Sequence, residues 1–411
     1  MPSKSTPDVG LGGSPRTRLW TATLTICLMT AMFVSTFPQY AIGVLAPVFV
    51  EELGITAGIL GIVASVMYLS AALIARGIGR GVDAVGGRTG LVALFAASVG
   101  SLLVLALTRS LTLLVIAALL SGAAMAMNNP VTNRLVVLHV PRGQRGLVMG
   151  VKQGGVKLAH LTSGAVLPAF VLTIGWRSGL LVVGAAVAAL LSASVWIVPR
   201  QVGGPSRMRG KLPADIRAQI LWLQLVAGLL AVGMTSLTTY LALYAVEAVG
   251  TSLTVAGLVV AALGLTAVIA RIIWATLTER FADPTLVLLV ISGGGAIGLL
   301  LIGTAATIGP QMLWVGAIFT AATAGSFNVV VQLVVVTRVD PKRSAATSGA
   351  VQGAFLIGLA TGAPLFGGIV EATGGYTVSW SLAALAAVAA FGVVLGERHR
   401  TAGKSTQDRS T

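Results

Sequence analysis

Two arginines lie where a hydrocarbon-length run of side chains would otherwise be neutral. Arg76 belongs to Ile74–Arg88, IARGIGRGVDAVGGR, and Arg271 to Ile269–Asp283, IARIIWATLTERFAD; each closes a long apolar run and is followed seven or eight positions later by an acid, Asp83 or Glu279. Lys152, Lys157 and His160 fall within or near a third apolar run, and no aspartate or glutamate lies deep in any such run. Ionisable groups at membrane depth are costly and mark functional sites by default. Fixed positive charge without an acidic partner attracts an anion, the more so as the local dielectric falls. The planar guanidinium fork matches carboxylate or nitrate oxygens. The chemistry on offer is a clamp in which Arg76 and Arg271 hold one anion from two sides. The alternative is anchoring, because seven residues of helix span about 10 Å, a distance over which a long cationic side chain snorkels to the interface.

Gln153, Lys157, His160 and Gly164 recur every three or four residues and share one helix face. Of these, His160 has the side chain that titrates near neutrality, so it is the candidate carrier if a proton travels with the anion. Lys152 lies within a turn or two of the loop Pro141–Arg145 and reads as a solvated helix end. Asn128 and Asn328, with Asn129, Thr132, Asn133 and Gln332 nearby, place amides in two further apolar runs. A buried amide is costly unless bonded, so these either bond across helices or face a wet cavity. Nothing reads as an enzyme or calls for a cofactor: there is no phosphate-cradling Gly-Lys-Ser loop, and the three histidines, His139, His160 and His399, have no metal-ligand spacing.

The elements that must carry these residues follow from composition. Of 411 residues, 56% are hydrophobic and 9% charged, against roughly 25% charged in soluble domains, which makes this a polytopic membrane protein. The 51 glycines suit helices packed in lipid. Runs of about 20 apolar residues predict twelve spans near 19–48, 58–79, 91–108, 112–138, 147–173, 178–198, 218–246, 254–276, 285–304, 310–336, 346–370 and 377–396. The net charge of +15 is topological rather than a nucleic-acid footprint. With the N-terminus cytoplasmic, the outer connections hold only Arg109 and Arg177 among basic residues, together with Glu51, Glu52, Glu247 and Glu371. Both termini are therefore expected to be cytoplasmic in the cell inner membrane. Cys27 is the single cysteine and forms no internal disulfide.

The expected organisation is an N-terminal tail 1–18, a six-helix half 19–198, a linker 199–217 rich in Pro, Gly and Arg, a second six-helix half 218–396 and a C-terminal tail 397–411. The halves are a direct repeat. Arg76 maps to Arg271 at an offset of 195, Glu51 to Glu247 and Asp83 to Glu279 at 196, Asn128 to Asn328 at 200, and Gln153 to Gln352 and Gly175 to Gly374 at 199. Six spans is an even number, so both halves enter the membrane in one orientation, and substrate belongs between them. One chain supplies both halves, so a monomer suffices.

Gly79-x-x-x-Asp83-x-x-Gly86-Gly87-Arg88 resembles the signature loop of the major facilitator superfamily, with Ala84 where a basic residue is usual, and Glu279-Arg280-Phe281 resembles its second copy. The resemblance implies an all-α membrane protein of twelve helices and secondary active transport by alternating access. It makes Gly79, Asp83, Arg88, Glu279 and Arg280 gate residues, Asp83 resting against the N-terminus of span eleven when the cytoplasmic side is closed. It also implies a cavity lined by spans one, four, seven and ten, to which Tyr40, Thr239, Tyr240, Asn128 and Asn328 would contribute. Arg76 and Arg271 resemble the arginines of the nitrate/nitrite porter and cyanate permease groups, and Gly150–Val156 resembles the fifth span of the cyanate-permease-like members, which usually carry proline and small residues where Lys157 and His160 stand here. The expected cargo is a small carboxylate-, cyanate- or nitrate-like anion, with proton symport as one coupling. A drug or metabolite exporter and a transporter-like sensor are the alternatives. Gly150 and Gly154, and Gly349 and Gly353, have the spacing of close helix contacts on which the halves would rock.

Overall fold

Lipid offers the backbone no hydrogen-bond partners, so a spanning chain must satisfy its amides internally. The computed structural model, which describes residues 15–198, 214–280, 283–338 and 341–407, meets this with helices and shows no strand among those residues. The expected tail up to residue 14, the linker up to residue 213 and the last four residues lie outside the described residues. The first half comprises α1 (Pro15–Val44), the short α2 (Ala46–Leu53), α3 (Ala57–Val85), α4 (Gly87–Ala106), α5 (Leu111–His139), α6 (Arg145–Thr173) and α7 (Trp176–Ile197). The second comprises α8 (Ala214–Glu247), α9 (Leu253–Arg280), α10 (Pro284–Gly303), the single turn α11 (Ala305–Ile308), α12 (Gln311–Ala322), α13 (Phe327–Arg338), α14 (Pro341–Thr373) and α15 (Thr377–Gln407). Ten of these carry an apolar stretch long enough to cross a membrane. With α7 and the consecutive pair α12 and α13 they give six crossings per half.

Three elements depart from the expected spans. The first span ends at Val44, and its expected last turn belongs to α2, which starts over Pro47 and stops at Gly54, whose φ of 62° a side chain would resist. The tenth span, expected to be continuous over 310–336, is broken by a 3-10 turn at Ala324–Ser326. The last helix does not stop at 396 but runs to Gln407, its polar end supported by the Arg400–Glu397 pair one turn apart and by Arg398 with Asp283, 3.5 Å away.

The repeat is visible in the packing. Across the halves α3 lies along α14 and α6 along α9, with α1 touching α8. The repeat relates α3 to α9 and α6 to α14, so exchanging the halves turns one pair into the other, as a two-fold axis along the membrane normal requires. Turn glycines also match, Gly54 with Gly250 (φ 62° and 74°) and Gly175 with Gly374 (φ 81° and 67°). Beside them, Trp176 Nε1 donates to Glu52 Oε1 (2.7 Å) in one half, and the Tyr376 hydroxyl donates to Glu247 Oε2 (2.6 Å) in the other. Burial first, and the Glu247 carboxylate second, push the Tyr376 hydroxyl well above the ordinary phenol range, so it stays a donor.

These turns lie on the face opposite the chain ends, and there the halves are shut. A Cβ on Gly164 of α6 would come 2.5 Å from Gly257 O of α9, and one on Gly264 would come 2.6 Å from Leu161 N. Gly58 N donates to Glu371 Oε1 (2.9 Å) from α3 to α14. Toward the face carrying the chain ends, Gly150, Gly154, Gly349 and Gly353 have nothing within 4 Å of a Cβ position. The expectation that these four make close helix contacts is therefore corrected for this conformation: the contacts fall on other glycines because the halves meet at the opposite face and part at this one.

Candidate functional site

A cavity of about 320 Å³ lies between the halves, and its wall is drawn from both. From α1 come Met32, Thr36, Gln39 and Tyr40, spaced to share one helix face. α5 adds Met125, Asn128 and Asn129, and α6 adds Gln153, Val156 and Lys157, while α3 contributes only the small Ala71 and Ala75. From the second half come Met234 and Thr238 of α8, Arg271 of α9, Gly325, Phe327 and Asn328 at the broken span, and Gln352, Phe355, Leu356 and Leu359 of α14. Repeat-related pairs, Asn128 with Asn328 and Gln153 with Gln352, thus face one space. The symmetry fails at one informative place: at the same offset of 199, Lys157 corresponds to Leu356 and His160 to Leu359.

Among the described lining residues charge has one sign: Arg271 and Lys157 are the ionisable cations, and no carboxylate contributes. The Nε of Arg271 is buried without a hydrogen-bond partner. Lys157 is 5% exposed, no hydrogen bond joins it to a described residue, and it borders the same cavity as Arg271. The surrounding amides are partly committed. Gln39 Nε2 donates to the Tyr68 hydroxyl (2.9 Å), and Gln153 Nε2 donates to Asn129 Oδ1 (3.0 Å), which binds α5 to α6. Each amide keeps further donors and acceptors for a guest.

The broken span positions one side of the site. Ala324–Gly325–Ser326 follows Thr323, whose φ of −105° and ψ of −86° leave the helical region. Trp274 of α9, one turn beyond Arg271, donates its indole N–H to Ala322 O (2.6 Å), satisfying a carbonyl at the break. The helix that bears Arg271 is thereby fastened to the turn that presents Gly325, Phe327 and Asn328.

Of the residues singled out in the sequence, the structure brings Arg271, Lys157, Asn128, Asn328 and Tyr40 together around the cavity. His160 is not part of the wall. It is 1% exposed, its ring stacks on that of Tyr40 (4.1 Å, 5°), and its Nδ1 is buried without a partner. Tyr240 is not part of the wall either: it is fully buried, and its single hydroxyl proton is shared between Ala57 O (2.9 Å) of the other half and Ala363 O (2.8 Å). Its neighbour Thr238, not Thr239, reaches the cavity. The reading of Lys152 as a solvated end is overturned. It is fully buried, donating to Thr132 Oγ1 (2.8 Å) and to Asn133 Oδ1, because the polar stripe of α5 covers it. Thr132 in turn donates to Asn128 O (2.5 Å). The side chains of Arg76, Gly79, Asp83, Glu279, Arg280 and Gln332 lie outside the described ones. Arg88 is half-buried at the start of α4, after Gly86 with its φ of 89°. Gln39, which the sequence reading missed, carried no signal beyond an amide one position before Tyr40.

The sequence model of the Major Facilitator Superfamily matches residues 28–308 and again 223–410. No characterised protein matches the chain in overall sequence. Among solved structures, a bacterial homologue of the human lysosomal transporter Spinster, in an inward-facing and occupied conformation, superposes with a TM-score of 0.72 at 18% identity, over 93% of this chain and 97% of that one. The unoccupied inward-facing form gives 0.69 at 17%, over 93% and 96%. A mutant of the nucleoside transporter NupG gives 0.73 at 13%, over 91% and 99%. At these identities the likeness is one of fold.

Proposed function

The chain belongs to the major facilitator superfamily, and from that premise we propose that it is a secondary active transporter that moves an organic anion by alternating access. The observation that carries this reading is Arg271: a guanidinium in the wall of a cavity between the halves, its Nε without a partner and no carboxylate among the described lining residues. At an effective dielectric near 20, a unit charge 4 Å away is worth about 4 kcal/mol, enough to concentrate anions and reject cations. Arg76, its repeat mate, is the proposed second arm, and the two halves 19–198 and 218–396 move about the linker 199–217. The cavity volume is in the range of pockets for organic molecules. Its six amides suit hydroxyl, amide or heterocyclic groups, and Met32, Met125, Met234, Phe327 and Phe355 suit an apolar body. A cyanate or nitrate would leave most of that wall unused, so an organic carboxylate is favoured within the anion class. The same apolar strip is what an exporter of amphipathic anions needs, and this is the second reading.

The positive-inside distribution supports cytoplasmic chain ends, and on that reading the conformation described is inward-open. Asp83, Arg88, Gly79, Glu279 and Arg280 are the proposed cytoplasmic gate, and Tyr240 belongs to the outer seal through its bond to Ala57. The test is a thermal-shift screen of the purified protein against small carboxylates, nitrate, cationic drugs and neutral compounds, repeated on Arg76→Ala and Arg271→Ala. A ligand at 100 times its dissociation constant stabilises by roughly 2.7 kcal/mol. Stabilisation of the parent by a carboxylate, lost in both variants, is the expected outcome. Stabilisation by neutral or cationic compounds alone, equal in the variants, overturns the reading. Flux in proteoliposomes separates a transporter from a sensor.

A further inference from the structure

We propose that the cavity takes up its anion together with one proton, and that Lys157 is the group that carries it; the proposal rests on the anion reading above. It starts from charge balance in the wall. Arg271 and Lys157 border one cavity, and no carboxylate among the described lining residues balances either. A guanidinium keeps its proton under all working conditions, whereas a buried ammonium exchanges its own readily. Of the two cations, Lys157 alone can therefore match its charge to the occupancy of the site. In the empty cavity a second positive charge beside Arg271 has no counter-ion. A carboxylate bound between them supplies one, so proton and anion favour each other's binding, and by linkage the coupling is reciprocal.

Among the described lining residues Lys157 has no rival as carrier. α1 presents Tyr40, a phenol, and α9 presents Arg271. On α6 itself His160 sits behind the Tyr40 ring, outside the cavity, and Lys152 is turned into α5. At this level α5 offers the amides Asn128 and Asn129, its Arg134 and His139 lying toward the end that carries the chain termini; α7 has Arg177 paired with Glu52 at the opposite face. Lys157 also has no counterpart in the repeat, leucine standing at the matching position of the second half. A clamp made by symmetry alone would not need it.

The full-length protein, purified in detergent, is titrated calorimetrically with acetate, pyruvate, benzoate and nitrate. Each titration is run in two buffers of different ionisation heat, at several pH values from about 6 to about 8.5. All four anions are ionised there, so protons taken up go to the protein. The expected result is close to one proton per carboxylate bound, with affinity falling about tenfold per pH unit on the alkaline side. Lys157→Arg, always charged, binds the same anion without proton uptake and without that pH dependence. Lys157→Met binds it more weakly, again without pH dependence, and His160→Gln retains the uptake. Carboxylate binding to the parent without proton uptake overturns the proposal and leaves the anion reading standing, as does uptake that survives in Lys157→Arg. Failure of all four anions to bind overturns both.

Discussion

A guanidinium nitrogen buried without a partner is costly at rest and useful on occupancy, and Arg271 has one. Removing a partner of a buried charged contact costs roughly 2–5 kcal/mol, so Arg271→Ala should weaken anion binding by about 30-fold or more while the protein still folds. Arg271→Lys, which keeps charge but loses the planar fork, should recover only part of it; affinity from thermal shift or calorimetry decides. Arg271 was legible in the sequence because a charge in an apolar run is conspicuous whatever the fold. Lys152 was misread because nearness to a loop along the chain does not tell whether a neighbouring helix covers the residue, and Thr132 and Asn133 of α5 do. Gln39 was illegible for the opposite reason: an amide in a helix is ordinary until Tyr68 and a cavity are placed beside it.

Among the elements, the crossings were legible because the bilayer fixes their length, and the repeat offsets already paired Asn128 with Asn328. The break in the tenth span was not, since Ala-Thr-Ala-Gly-Ser stays apolar enough to read as continuous helix while its backbone leaves the helical region at Thr323. Trp274 makes the break testable. Trp274→Phe keeps the ring but leaves Ala322 O unsatisfied, at a cost of about 1–3 kcal/mol, and because the break presents Phe327 and Asn328 the loss should appear in anion affinity as well as in thermal stability. A stability change with affinity unaltered would mean the turn is fixed by its own packing. The glycines give a second contrast at this scale. Gly164→Ala forces a Cβ against backbone of α9 and should destabilise the described conformation, whereas Gly154→Ala meets open space and should leave its stability unchanged. If the rocking motion brings α6 and α14 together at the face carrying the chain ends, a bulky Gly154→Leu should fold normally and still fail to transport.

For the whole molecule, a transport cycle requires that the contacts holding the face opposite the chain ends shut can release. Among the described residues two polar contacts cross it between the halves: the Tyr240 hydroxyl on Ala57 O, and Glu371 on the amide of Gly58 at the first turn of α3, where a carboxylate also meets the positive end of the helix. Neither touches the cavity, so neither should contribute to ligand affinity within one state; both should set which state is populated. Net hydrogen bonds of this kind contribute about 0.5–1.5 kcal/mol each, and about 1.4 kcal/mol is a tenfold change in a two-state ratio. Tyr240→Phe combined with Glu371→Ala should therefore shift the inward-open to outward-open ratio by roughly tenfold. Spin labels on α3 and α14 near that face read the shift as a longer distance population. The single native cysteine, Cys27, is buried and can be replaced for the labelling. Asp83→Asn, at the proposed gate on the other face, should move the same population in the opposite direction and slow turnover more than binding. If the double variant keeps the parent distance distribution while transport falls, the two contacts are structural supports of the second half, and the outer seal resides in the glycine-packed backbones of α6 and α9.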